Sequence, residues 1–212
     1  DRGGRLFIMF EPWTEITPGT SNRENLRPWL AERYGIVVGS DVVVTDAPDE
    51  PWMISLDADN EPFLDEESGF MEYNGAYLIE HPITAKFDQK MLLQTVRSVT
   101  PSAELRKGIH TSKLLRTIPG AWAESDIEAL FQTRKGTQES DELGGPVGIG
   151  VAVTIKHTAE GGEEAEEGRM IVVGDADYAA NSYLVQSGVG HLNFVLNTIA
   201  WLTESEKSIT IF

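Results

Sequence analysis

Whatever chemistry this chain performs falls first to its carboxylates. The stretch Arg169-Met-Ile-Val-Val-Gly-Asp-Ala-Asp-Tyr178 sets Asp175 and Asp177 directly after an unbroken apolar run. Two carboxylates at this spacing can hold Mg²⁺ or Ca²⁺ through oxygen. The same spacing has a structural use. One Asp, with Asp177 the expected one, caps the following helix while the other accepts hydrogen bonds from loop amides. Glu11 stands in the same way after the apolar run Arg5-Leu-Phe-Ile-Met-Phe10. His81 precedes Pro82, which holds it extended, and a structural hydrogen bond suits it better than catalysis. Glu11, His81, Asp175 and Asp177 form the candidate ligand-binding set.

Other reaction classes lack their residues. There is no cysteine, so thiolate nucleophiles and thiolate metal ligands are excluded together. No Gly-x-Ser-x-Gly elbow and no Gly-x-x-x-x-Gly-Lys loop occurs. The glycines of Gly144-Gly-Pro-Val-Gly-Ile-Gly150 precede a strand rather than a helix, so they do not form a phosphate cradle. His81, His110, His157 and His191 are too scattered to make a paired-imidazole site. No catalytic residue, cofactor or tight transition-metal site is therefore expected, and the chain does not read as an enzyme.

The elements that must position these residues follow from apolar periodicity. Met170–Val173 reads as a strand buried on both faces, ended by Gly174. After the acidic turn, Leu192, Val195, Leu196, Ile199 and Leu202 recur at helical spacing as one stripe. This is a βα unit, and in open α/β sheets ligands sit beyond the carboxyl ends of strands. Strands are expected near residues 5–10, 42–46, 95–99, 147–156 and 169–174, in one mainly parallel sheet with helices on both faces. The 147–174 pair should be an antiparallel hairpin, because a short turn with five acids joins it. A helix is expected from about 23 to 34 with Gly35 as its C-cap, and another near 123–131 opening at Ser125 or Asp126. A short strand closes the chain at 208–212.

Composition sets the outer bounds. With 212 residues and 41% hydrophobic content, one domain spanning 1–212 is expected. Net charge is −17, which argues against nucleic acid and anionic membrane surfaces as direct partners. No run of 18 apolar residues occurs. The opening Asp1-Arg-Gly-Gly4, with no initiator Met, reads as the start of an excised piece. Residues 48–75 hold nine acids and no Lys or Arg, with Trp52, Phe63, Phe70 and Tyr73 between them. Asp57-Ala-Asp-Asn-Glu61 is followed by Pro62 where a calcium loop needs Gly, so a solvated excursion pinned by its aromatics is expected.

Five segments, in order, resemble one family. Gly3-Gly-Arg-Leu-Phe-Ile-Met-Phe-Glu-Pro12 is similar to a Gly-Gly-x-Leu-x-x-x-x-Asp/Glu-Pro segment. Tyr77 with His81-Pro-Ile-Thr84, and Leu114-Leu-Arg-Thr117 with Trp122-Ala-Glu124, supply two more, although Ile118 stands where Ser is usual. Gly144-Gly-Pro-Val147 leads into a strand, and Val172-Val-Gly-Asp-Ala-Asp-Tyr178 with Asn181, Asn197 and Trp201-Leu202 closes the series. Together they resemble the GldG-like, gliding-motility-associated auxiliary components of ABC transporters. The resemblance implies a flavodoxin-like or glutamine-amidotransferase-like α/β domain on the extracytoplasmic (periplasmic or cell-surface) side, anchored to the membrane by helices outside this stretch. It implies ABC permease and ATPase subunits as partners, and it carries no catalytic residues. Two functions then compete: a non-catalytic auxiliary domain acting through contacts, or a module binding a small polar solute or sugar near Glu11, Asp175 and Asp177. A pocket joining Glu11, His81 and Asp175 would favour the solute; a flat apolar patch would favour contact.

Overall fold

The computed structural model describes residues 3–11, 26–57, 62–64, 71–73, 76–77, 80–156 and 167–204. In chain order the elements are β1 (Arg5–Met9), α1 (Leu26–Tyr34), β2 (Ile36–Val38), β3 (Val42–Val44), β4 (Met53–Leu56), β5 (Pro62–Leu64) and β6 (Met71–Tyr73). They continue with β7 (Met91–Gln94), β8 (Val99–Pro101), β9 (Ile109–Arg116), β10 (Trp122–Glu124), α2 (Ile127–Thr133), β11 (Gly148–Ile155) and β12 (Gly168–Val173). A 3₁₀ turn at Asp177–Ala179, then α3 (Asn181–Leu184) and α4 (His191–Leu202), complete the described chain.

The central sheet has the order β1-β12-β11-β9. Only β1 and β12 run parallel, in register from Arg5 opposite Arg169 to Met9 opposite Val173. The β11–β12 and β11–β9 pairs are antiparallel. This corrects the expected mainly parallel, flavodoxin-like or glutamine-amidotransferase-like sheet with helices on both faces. The error has a physical source. Unbroken apolar runs usually mark parallel sheets because helices cover both faces. Here β11 and β12 bury nearly every side chain although they are antiparallel neighbours. They are consecutive strands in the chain, and consecutive strands commonly pair as antiparallel neighbours. The expected hairpin is present.

Two other expected strands stay out of this sheet. β3 pairs with β10, and β2 with β8, as two-stranded ribbons. The run Leu92–Val99 is broken, because Thr95 takes a left-handed φ of 57° and separates β7 from β8. The stretch from Glu104 to Trp122, which reads as irregular or strand-like, supplies β9, a full eight-residue strand. Gly35 does end α1: its φ is 65°, its N–H donates to Ala31 O at 3.1 Å, and a Cβ there would lie 2.6 Å from Leu105. Asp126 caps α2 by accepting from Ala129 N at 2.9 Å. In the acidic excursion Trp52 packs on Phe131 at 5.1 Å, which pins β4 to α2. The acidic turn at 157–166 and the expected strand at 208–212 lie outside the described residues.

Alternation along β12 divides the core. Ile171 and Val173 join Ala152, Leu114, Phe87, Tyr178, Phe194 and Trp201 in one cluster. Met170 and Val172 join Ile8, Val151, Val153, Leu30 and Ile36 in the other. Each fully buried aliphatic contributes about 1.5–3 kcal/mol, so these two layers fix the β1–β12 pair firmly. The helix stripe needs correction. α4 buries His191, Phe194, Asn197, Thr198, Trp201 and Leu202. Leu192, Leu196 and Ile199 are instead 45%, 52% and 46% exposed. The two aromatics bury more area than the leucines, and two polar members of the inner face, Asn197 and His191, find backbone partners. Asn197 donates to Ile83 O at 3.0 Å, and His191 Nε2 accepts from Leu92 N at 3.0 Å.

Candidate functional site

Because β1 and β12 are parallel neighbours, their carboxyl ends lie side by side, and Phe10 N still donates to Val173 O at 2.9 Å. Glu11 therefore leaves β1 next to the point where Asp175 leaves β12. Asp177 completes the group, and one carboxylate oxygen from each of the three lies within 4.8 Å of the others. Gly174 makes this turn possible. It donates to Ile149 O and accepts from Arg97 N, and a Cβ there would lie 2.1 Å from Arg97 O. Only glycine lets the chain before β8 pass so close.

The three carboxylates differ in environment. Asp175 is 0% exposed; its Oδ1 accepts from Asp177 N at 2.6 Å and its Oδ2 from Gln94 N at 3.1 Å. Loss of solvent pushes its carboxyl up to about 7, outweighing those two amides, and the Asp177 charge pushes the same way. Asp177 is half-buried and makes no helix-cap hydrogen bond. Asp175 thus organises the loop through backbone amides, as expected of one of the pair, whereas Asp177 does not make the cap expected of it. Tyr183 borders the group, donating to Gln94 Oε1 at 2.7 Å. Desolvation and the charges of Asp177, Asp175 and Glu11 raise its hydroxyl. Gln94 and Tyr183 carry no sequence signal, since they reach the site through tertiary packing alone.

His81 does not join them. Its ring packs on Trp201 at 4.9 Å, where the Arg169 guanidinium also sits, 5.0 Å from the same ring. Arg169 opens β12 and Asp175 follows its end, so roughly 20 Å of strand separates the two places. His81 Nδ1 accepts from Ile83 N at 3.3 Å. Burial, aided by the Arg169 charge, lowers the imidazole to about 4, which keeps it neutral. It is a core residue that shapes the turn before Phe87.

An all-oxygen set of three carboxylates suits a hard cation, or the amines and hydroxyls of a polar solute. It offers nothing to a soft metal. A second surface lies on α4. Leu192, Leu196 and Ile199 are spaced four and three residues apart, so they share one exposed apolar face.

Comparison with known proteins gives one match. No curated protein and no solved structure is detectably similar to the chain. Residues 1–198 match the profile of a family described as ABC-type uncharacterized transport system. That span takes in β1 with Glu11, the His81 turn, the β11–β12 hairpin and the carboxylate turn at Gly174. The chain therefore belongs to this family of auxiliary components of ABC-type transport systems.

Proposed function

We propose that the chain is a non-catalytic, extracytoplasmic domain of a GldG-like component, tethered to the membrane and acting by contact within its transport complex. The permease is the direct partner, and the ATPase is reached through it. The observation that carries this reading is the exposed apolar face of α4. Burying three half-exposed aliphatic side chains contributes on the order of 3 kcal/mol, enough to set a docking register without driving association alone. Family membership supports the setting, and backbone hydrogen bonds give the buried His81 and His191 a structural use. The test is purification of the full-length membrane protein with its complex. A Leu192→Ser, Leu196→Ser, Ile199→Ser variant should lose the permease while the domain keeps its thermal midpoint. Undiminished co-purification would overturn the reading.

The convergence of Glu11, Asp175 and Asp177 favours a second reading, a module that holds a small polar solute or sugar. Calorimetry against sugars and Ca²⁺ separates the two. Saturable heat in the wild type that disappears in Asp177→Asn would place solute binding first. The loss of His81 from the set weakens it, because the only candidate donor side chain among the four is elsewhere.

A further inference from the structure

At the opposite end of the central sheet a cavity of about 630 Å³ opens between α1, the starts of β1 and β12, and the end of β11. Six of its fifteen lining residues are basic: Arg5, Arg33, Arg106, Lys107, Lys156 and Arg169. None is acidic. The whole chain has 17 basic and 34 acidic residues, so more than a third of its cations line this cavity and none of its described anions do. Chance placement on so acidic a chain would have brought carboxylates along with them.

The cations divide into two groups. Arg5 and Arg169 are committed to the wall. Arg5 donates to Gly3 O at 2.6 Å and also bonds Glu167 O and Glu204. Arg169 donates to Glu167 Oε1 at 3.1 Å and Trp201 O at 2.6 Å. Arg33, Arg106, Lys107 and Lys156 are different. All four are exposed, and among the described residues no carboxylate pairs with them.

Backbone geometry holds three of the four together. Ile109 N donates to Arg106 O at 3.0 Å, closing a tight turn in which Gly108 takes φ 83°. Lys156 N donates to Gly108 O at 2.7 Å, so Lys156 is clamped beside Arg106 and Lys107. A Cβ on Gly108 would lie 2.4 Å from Lys156 O, which is why the turn needs glycine. Arg33 faces them from the last turn of α1. Trp29 and Tyr34, in edge contact at 4.9 Å, supply an aromatic wall, and Leu6, Ile109, Ile155 and Met170 add apolar surface.

Four gathered like charges repel one another, and an anion relieves that repulsion. Guanidinium and ammonium groups around one space are suited to phosphate oxygens. The aromatic and aliphatic walls suit a ring or acyl body attached to the anion. We propose that this cavity binds a phosphate ester, its head group on Arg33, Arg106, Lys107 and Lys156 and its body against Trp29 and Tyr34. A soluble phosphorylated compound and a phospholipid head group share this chemistry.

The test uses two probes on the 1–212 chain: inorganic pyrophosphate in calorimetry, and sedimentation with vesicles of phosphatidylglycerol or of phosphatidylcholine. Binding of pyrophosphate without vesicle capture assigns a soluble ester. Capture by phosphatidylglycerol vesicles and not by phosphatidylcholine assigns a lipid head group. Either result should weaken about tenfold in Arg106→Gln and again in Lys156→Gln, one charge-assisted bond each. Both sites are exposed, so an unchanged thermal midpoint is expected, and Lys135→Gln outside the cavity should leave binding intact. Glu160, Glu163, Glu164 and Glu166 follow Lys156 in the sequence and carry charge of the opposite sign. Absence of binding to either probe overturns the proposal. So does binding that appears only after those four are changed to Gln, which would make the chain its own occupant.

Discussion

Asp175→Asn puts the carboxylate turn to a quantitative test. In the folded chain the carboxyl sits at about 7 against an ordinary 3.8, mainly because it has lost solvent. The folded state then holds the proton more tightly than the unfolded one. The group's contribution is most favourable below about pH 4, declines as pH rises, and levels off above about 7. That span corresponds to about 4 kcal/mol at most. Asn removes the charge but replaces one acceptor oxygen with an NH₂ group. That NH₂ then faces either Asp177 N or Gln94 N, each a donor now bonded at 2.6 and 3.1 Å. Two donors opposed in a buried turn cost about 1–3 kcal/mol. The two effects have opposite sign, so the stability curves should cross. The variant should be less stable than wild type near pH 4 and more stable near pH 8, by about 1–3 kcal/mol each way. Urea denaturation followed by tryptophan fluorescence, with both proteins measured across that range, reads the difference directly. A constant difference would refute the reasoning, because it would mean that Asp175 does not titrate between its two states.

Three further outcomes follow from the same geometry. Gly174→Ala should destabilise by about 3 kcal/mol or more, because its Cβ would meet Arg97 O at 2.1 Å; a wild-type denaturation midpoint would show that the turn is looser than described. Asp177→Asn should change stability by less than about 0.5 kcal/mol, since no cap bond is lost, and a clear drop in thermal midpoint would restore it as a cap. The His81 imidazole, lowered to about 4, favours the folded state above its unfolded value near 6.5, and that stability is lost as pH falls from there towards 4. Its NMR resonances should stay those of a neutral ring down to about pH 5; titration near 6.5 would contradict its burial.

What is legible in the sequence follows from local patterns. Met170–Val173 and Val147–Ile155 read as strands because β-branched runs bounded by glycine have few other uses. Gly35 and Asp126 are legible as caps because each acts within its own turn. Strand direction is not legible, since burial on both faces erases the alternation that marks an antiparallel sheet. The α4 stripe misleads because that helix is apolar on two sides, and only the aromatics Phe194 and Trp201 decide which side turns inward. At the site, Glu11, Asp175 and Asp177 stand out by their positions after apolar runs, and the parallel β1–β12 pair does bring them together. His81 belongs with them by chemistry alone, and packing on Trp201 takes it to the far end of the strand. The basic cavity has no sequence signature because its cations come from β1, α1, the turn before β9, and the turn end of the β11–β12 hairpin.

Docking through α4 is the proposed mode of action of this domain. A photo-crosslinking residue at Leu196 of the full-length protein, activated in intact membranes, measures it most directly. The expected result is an adduct with the permease that is absent when the same residue is placed at exposed Lys135. An intact complex that gives no adduct from position 196, or equal adducts from both positions, would rule out docking through α4.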